Sequence, residues 1–396
     1  METTQSIMSS IIVLVRQLNI VLDLRNLWTL AAMVALLIRG KRAHLYELGK
    51  ALPGKGKLES RVQKLRRWVS NSRMCPEQFL PLYLHLLAPL LVSLPHLVLI
   101  MDRTEWKRLG VHVNLFICSV AFNGRSFPIY WHVLPKRGCS SLAEQKALLK
   151  PVFQALQDHP LLAPTRKVIL ADREFCAPRL ARWIRRFDVH FCLRVKKNYY
   201  VSRTDIPSRP ISLFLRYCQP GACYFFTSIR FTTTACVPCH LFLYWRQDCQ
   251  EPLALITDLE EPESLEALYG ERMFIETLNR DLKSGGYDIE RGKLTETKRL
   301  SNLLIPVALA YLFTVIQGHL EEIKAPLPRL RKRRLSLFTK ARNLFNDLIE
   351  RKPLRVVIQF FQEFFAFFVT LMSQITLVNT TNLLRKFSKR QLTLLQ

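Results

Sequence analysis

Four residues on one predicted helix stand out, because their types and spacing can do chemistry. Within the stretch 262–285, Tyr269, Arg272, Glu276 and Lys283 lie at offsets 0, 3, 7 and 14. At about 100° per residue these fall at roughly 0°, 300°, 340° and 320°, an arc of roughly 60° on one helix face. A carboxylate flanked by a phenol, a guanidinium and an ammonium suits a helix lying beside a phosphate and its metal ions. The same spacing also describes an ordinary surface face on which Arg272 and Glu276 pair at i, i+4. Two aspartates add to Glu276. Asp102 closes the apolar run His96–Met101, and Asp172 closes Lys167–Ala171. One such aspartate is unremarkable, since Asp also starts turns. Three carboxylates brought together can hold Mg²⁺, which prefers oxygen ligands and keeps substrate phosphates in its shell. Two such ions can activate a water or a 3′-hydroxyl and stabilise the leaving oxygen of an in-line phosphoryl transfer.

For the carboxylates to meet, the strands that deliver the aspartates must be neighbours. From His96 onward the sequence predicts strand, strand, strand, helix, strand, helix, strand, which is an α/β pattern with a mixed sheet. Val111–Phe122 and Phe127–Leu134 flank Asn123-Gly124, a strong hairpin signal. Ser141–Gln157 and Ala177–Phe187 read as helices, and Val189–Val195 as the last strand of the series. Residues 196–250, rich in Tyr, Phe, Thr and Cys, read as a β-rich insertion. A core-like strand returns before Thr257. Asn302–His319 reads as an apolar helix after 262–285. This divides the chain into a helical segment 1–95, core segments 96–195 and 251–320 around the insertion 196–250, and a basic helical region 321–396.

Charge points to the partner. With 58 Lys+Arg against 31 Asp+Glu in 396 residues, the chain carries a formal +27, which favours nucleic acid or an anionic surface. Hydrophobic residues make up 49%, enough for a large core and too many for a disordered chain. The apolar runs Leu80–Met101 and Val356–Val378 are interrupted by Pro, His, Gln and Glu, so membrane spanning is not expected. Ten Cys are too sparse for a disulfide scaffold, and Glu2 and Arg16 make the first residues a poor signal peptide, so a reducing, cytoplasmic setting is expected. Within 1–95, Ala43–Leu52 and Leu58–Asn71 around a Pro53-Gly54 turn resemble helix, turn, helix. Val62, Leu65 and Val69 recur at helical spacing and leave Arg61, Lys64, Arg66 and Arg67 to face outward. Such a helix suits the DNA major groove, or is simply the solvated face of a bundle helix. Arg329–Arg334 is the densest basic cluster and reads as an arm tracking phosphates.

These motifs together resemble the bacterial insertion-sequence DDE transposases of the type-four family, over roughly residues 60–320. The family signature Y-x2-R-x3-E-x6-K is met by Tyr269, Arg272, Glu276 and Lys283. The strand-D-x-T context of the first family aspartate is met by Asp102-Arg103-Thr104, and the D-R context of the second by Asp172-Arg173. The resemblance implies a ribonuclease H-like core with a β-rich insertion, and an enzyme that cuts at transposon ends and transfers strands. It implies two Mg²⁺ or Mn²⁺ ions on Asp102, Asp172 and Glu276, with Tyr269, Arg272 and Lys283 gripping DNA phosphates. The implied partners are double-stranded DNA, as terminal inverted repeats and target, and a second copy of the chain in the synaptic complex. The implied location is the cytoplasm, at the nucleoid. A nuclease of the same fold without strand transfer, or a decayed DNA-binding inhibitor, are the rival readings. The chain departs from the pattern at Pro252-Leu253, where some members carry a base-stacking Trp ahead of the strand, so a hairpin pathway is not implied.

Other candidates are weaker. Cys236-x2-Cys239-His240 matches a haem attachment pattern, which would need export. Cys218, Cys223, Cys236 and Cys239 have zinc-like spacing, but the segment alternates like a strand, and zinc is disfavoured. Glu105 and Glu174 read as supporting or surface groups, Trp106 as packing, and His112, His132 and His190 as structural.

Overall fold

In a computed structural model, residues 2–17, 22–232, 237–324, 335–373 and 391 are described. Five helices come first: α1 (Glu2–Gln17), α2 (Leu24–Ile38), α3 (Leu45–Ala51), α4 (Leu58–Ser70) and α5 (Pro76–Leu91). Then follow β1 (Leu97–Arg108), β2 (Val111–Phe122), β3 (Arg125–Leu134), α6 (Leu142–Asp158), β4 (Lys167–Ala171), α7 (Pro178–Ile184) and β5 (Val189–Arg194). The next segment holds β6 (Tyr200–Arg203), β7 (Ile206–Pro210), α8 (Ile211–Leu215), β8 (Cys223–Phe231), β9 (Val237–Tyr244) and β10 (Leu253–Thr257). The remainder is helical: α9 (Pro262–Gly270), α10 (Phe274–Leu282), α11 (Thr297–Lys324), α12 (Leu337–Arg351) and α13 (Leu354–Ser373).

All ten strands form one mixed sheet in the order β3-β2-β1-β4-β5-β10-β9-β8-β6-β7. β1, β4 and β5 are parallel, and every other pairing is antiparallel. This mixed α/β architecture, with helices at both ends of the chain, is compatible with the ribonuclease H-like expectation. The hairpin at Asn123-Gly124 forms with φ of 47° and 79°, the left-handed pair that a tight two-residue turn requires. Both sheet faces are covered. Leu115 and Ile117 of β2 meet Leu282 of α10 and Leu304 of α11, while Phe116 between them stacks on Phe175 at 5.5 Å.

Two expectations need correction. The strand carrying Asp102 does not end there but runs on to Arg108, because β2 continues to pair with it after β4 has stopped. The helix 262–285 is broken by a 3₁₀ turn at Glu271–Met273 and ends at Leu282, with Lys283 leaving helical geometry at ψ −141°. Residues 196–250 carry β6 to β9, which belong to the same sheet and extend it outward from β10. The run Leu80–Met101 divides between α5 and β1, at the helix-to-strand change expected near His96. The cluster Arg329–Arg334 lies outside the described residues.

Two helices, α11 and α13, are long and apolar enough to cross a membrane. The apolar stretch of α11 is buried throughout inside the protein. α13 buries Phe360, Phe361, Phe364, Phe365 and Phe368 as one face, three of them set around Phe313 of α11 with ring centroids 5.0–6.3 Å apart. α1 packs along α13, so the two ends of the described chain share one helical layer around α11. α4 is fixed to α11 by Asn302, whose Nδ2 donates to the Val69 carbonyl at 2.8 Å. The α3–α4 crossing is close because residue 49 is Gly, where a Cβ would lie 2.5 Å from Val62 Cγ2.

The helix that carries Glu276 is held to β3 by a fully buried ion pair, Arg125 Nη2 to Asp281 Oδ2 at 3.0 Å. Breaking such a pair from one side strands a buried charge. Asp281→Ala is therefore expected to cost about 3–5 kcal/mol in urea unfolding. The double replacement Arg125→Met with Asp281→Leu should recover most of that loss. A single variant within about 1 kcal/mol of the parent would show that solvent already reaches the pair.

Candidate active site

Parallel pairing of β1 with β4 sets the geometry. Met101 lies opposite Ala171, the last pair of that ladder, so Asp102 and Asp172 follow at matching positions on neighbouring strands. In the same row, β4 pairs Ala171 with Leu193 of β5, and Arg194 comes next. Its guanidinium stands 3.5 Å from Asp172 Oδ1. Alternation along β1 puts Asp102 opposite Ile117, on the face covered by α10 and α11. Thr104 and Trp106 share that face.

Arg103 points to the other face and is gripped from two sides. Its Nε and Nη2 donate to the two oxygens of Glu174 at 2.6 and 2.7 Å, a bidentate pair, and Nη1 donates to Glu105. Glu105 also accepts the Gly138 N–H at 2.9 Å. Glu174 thus locks the strand around Asp102 to the turn that follows Asp172, and Glu105 ties the strand to the segment after β3.

The signature helix lies across this row. Arg272 is 9% exposed, and its Nη2 donates to Glu276 Oε1 at 3.0 Å. Burial alone would depress the Arg272 pKa, but Tyr269, Asp102, Asp172 and Glu276 together hold it above the ordinary value. Tyr269 is buried, its hydroxyl 3.4 Å from the Ala171 carbonyl just before Asp172, and burial raises its pKa strongly. Asn279, one turn after Glu276, donates to Asp102 Oδ2 at 3.3 Å. Lys283 sits apart from the other three signature residues. Its ammonium donates to the Glu105 carbonyl at 3.2 Å and lies 5.3 Å from the Trp106 ring centroid, and burial lowers its pKa.

Asp102 is the most perturbed carboxyl here. Burial pushes its pKa up to about 6, with Glu276 and Asp172 adding to the rise, against the Arg103 backbone N–H and Arg272. Asp172 Oδ1 is buried without a hydrogen-bond partner. An oxygen-only donor set in which that Oδ1 has only the 3.5 Å ion-pair contact with Arg194 suits a hard divalent cation. Among the described residues, no three His, Cys, Asp or Glu side chains lie close enough together to hold an ion. The aspartates are neighbours, whereas the Glu276 side chain is 54% exposed and tied to Arg272.

The predicted N-terminal contacts divide. Arg66 and Arg67 are exposed on α4 and make no ion pair or hydrogen bond among the described residues. Arg61 instead donates to the Leu52 carbonyl at 2.8 Å, closing the end of α3, and the Lys64 ammonium lies 3.7 Å above the Trp28 ring. Of the cysteines with zinc-like spacing, Cys218 and Cys239 are buried, Cys223 is exposed, and Cys236 lies outside the described residues. Sequence reasoning did not single out Arg194, Asn279 or the Arg125–Asp281 pair. Asn279 was within reach, standing three residues after Glu276 on the same face. Arg125 and Asp281 are 156 positions apart, and no local pattern links them.

The raised Asp102 pKa has a consequence for stability. A carboxyl protonated more readily in the folded than in the unfolded state stabilises the fold below about pH 4, and that contribution disappears as pH rises through about 6. Asp102→Asn should therefore stabilise the metal-free protein at pH 7.5 by on the order of 2–3 kcal/mol, and hardly at all at pH 4. Thermal melts without divalent ions at both pH values check this. An equal gain at the two values would assign the effect to packing.

Residues 93–313 match the family model described as the transposase DDE domain. No curated protein matches the chain. The matched stretch is more than half of the 396 residues and contains both aspartates, Glu276 and the whole signature helix. This protein belongs to the transposase DDE-domain family.

Proposed function

We propose that the chain is the transposase of a bacterial insertion sequence of the type-four family. It binds the terminal inverted repeats of its element, cleaves at their ends by metal-dependent hydrolysis, and joins the freed 3′-hydroxyl to target DNA. The observation that carries this reading is the placement of Asp102 and Asp172 at matching positions on parallel neighbours, beneath a helix whose Arg272 bonds Glu276 and feels both aspartates. The sheet order β3-β2-β1-β4-β5, antiparallel then parallel, supports a ribonuclease H-like core. In this reading residues 1–95 recognise DNA through Arg66 and Arg67. Residues 96–195 and 251–320 form the core around the insertion 196–250, and 321–396 add a basic helical region. Two copies pair the element's ends, in the cytoplasm.

Asp102, Asp172 and Glu276 would hold one or two Mg²⁺ or Mn²⁺ ions, which when bound lower the pKa of a water or 3′-hydroxyl and neutralise the leaving oxygen. The side chains of this protein supply the rest. Arg272 offsets the mutual repulsion of the three carboxylates, and its planar fork matches a phosphate of the strand being cut. Tyr269 and Asn279 steady the aspartates from the helix side. Lys283, held over Trp106, presents a cation beside the strand that carries Asp102.

Replacing Asp102, Asp172 or Glu276 singly by Ala should abolish Mg²⁺-dependent cleavage of DNA bearing the element's ends while sparing end binding. The exposed Glu263→Gln should retain activity. Arg272→Ala should slow single-turnover cleavage roughly tenfold to hundredfold, the equivalent of a charge-assisted contact of about 1.5–3 kcal/mol. Arg272→Lys should recover only part. Joined products on a supercoiled target distinguish a transposase from a nuclease of the same fold. Hydrolysis without joining, under conditions where both DNA partners are bound, overturns the strand-transfer assignment.

A further inference from the structure

A cleft of about 580 Å³ opens between the α3–α4 hairpin and the segment that follows the signature helix. Its walls carry Arg66 from α4, and Arg291, Lys293 and Arg299 from the segment 289–300. A second hollow of about 490 Å³, lined by Arg66, Arg67, Gln63 and one carboxylate, Glu59, adjoins it, so Arg66 stands on the ridge between the two. Glu47 is the one carboxylate among the residues lining the first cleft, and it is already engaged by His44 and Arg42 at 3.5 and 3.8 Å. Among the described residues, Arg66, Arg67 and Lys293 have no anionic partner, and the contact of Arg291 with Asp288 is a long 3.8 Å. Cations gathered on a concave surface repel one another unless an anion is shared between them. The cleft walls are also tied to each other. Ala43 N–H donates to the Tyr287 carbonyl at 2.8 Å, and His44 Nε2 lies 2.9 Å from the Asp288 carbonyl.

We propose that this cleft extends the DNA contact of Arg66 onto the segment after the signature helix, the phosphodiester backbone of a duplex being held between Arg66 on one wall and Arg291 and Lys293 on the other. The site rests on the transposase reading and extends it, because Arg291 follows Lys283 by only eight residues. The polymer charge of a duplex matches a row of cations spread over two adjoining hollows better than a small anion would.

The test uses the full chain and a fluorescein-labelled 30-base-pair duplex of arbitrary sequence, titrated between 50 and 200 mM salt. Removing one cation that neutralises a phosphate should reduce the slope of log affinity against log salt by about 0.9. Arg291→Gln with Lys293→Gln should therefore flatten the slope by about 1.8, so the parent loses about twelvefold more affinity than the variant over that fourfold salt range. Arg209→Gln with Arg216→Gln removes the same charge at the far edge of the sheet and should leave the slope unchanged. If the cleft variant keeps the parental slope, or both variants flatten it equally, the cleft assignment is overturned while DNA binding stands. If the parent binds duplex without salt dependence, the nucleic-acid reading itself fails, and the cleft with it.

Discussion

The end of the β1–β4 ladder is the constraint on which the rest of this site depends. β4 is five residues long and β1 is twelve, so their pairing stops at Met101 and Ala171 while β1 continues against β2. Parallel strands in register place successors side by side, which brings Asp102 and Asp172 together without a contact having to pull them there. The backbone carries this arrangement. It is also why a carboxylate pair can persist at a spot where burial and mutual repulsion both oppose charge.

Electrostatic strain at that edge is balanced locally. Arg272 and Arg194 bring two guanidiniums to the aspartates, one from the signature helix and one from β5. Arg103 spends its charge on Glu105 and Glu174, on the opposite face of the strand. Its backbone N–H still lowers the Asp102 pKa. What remains is an aspartate with a pKa of about 6, raised chiefly by burial. Keeping that buried carboxyl charged at neutral pH lowers stability.

Long-range contacts hold the helix over the sheet. The buried Arg125–Asp281 pair fixes the end of α10 to β3. Just beyond, Arg342 of α12 donates to the carbonyls of Gly286 and Gly40 at 3.2 and 3.0 Å. The turn after α2, the segment after α10 and the C-terminal helices therefore meet at one junction.

Much of this was legible along the chain. Strand order, the Asn-Gly hairpin, both aspartates and the one-sided grouping of Tyr269, Arg272 and Glu276 are local patterns of period and spacing, and local sterics are enough to fix them. Lys283 was placed with them by helical arithmetic alone, and the 3₁₀ turn at Glu271–Met273 with the helix stop at Leu282 redirected it to Trp106. Arg61 and Lys64 read as outward cations, yet a carbonyl at the end of α3 and the face of Trp28 claim them. The extension of the sheet through 196–250, the Arg194–Asp172 approach and the Arg125–Asp281 pair were decided by tertiary structure. Each joins residues far apart in the chain, and only burial of both partners in one core makes such a pairing favourable. The sequence by itself determined which groups could do chemistry. The tertiary structure decided which of them share a site, because proximity across separate elements has no period to read.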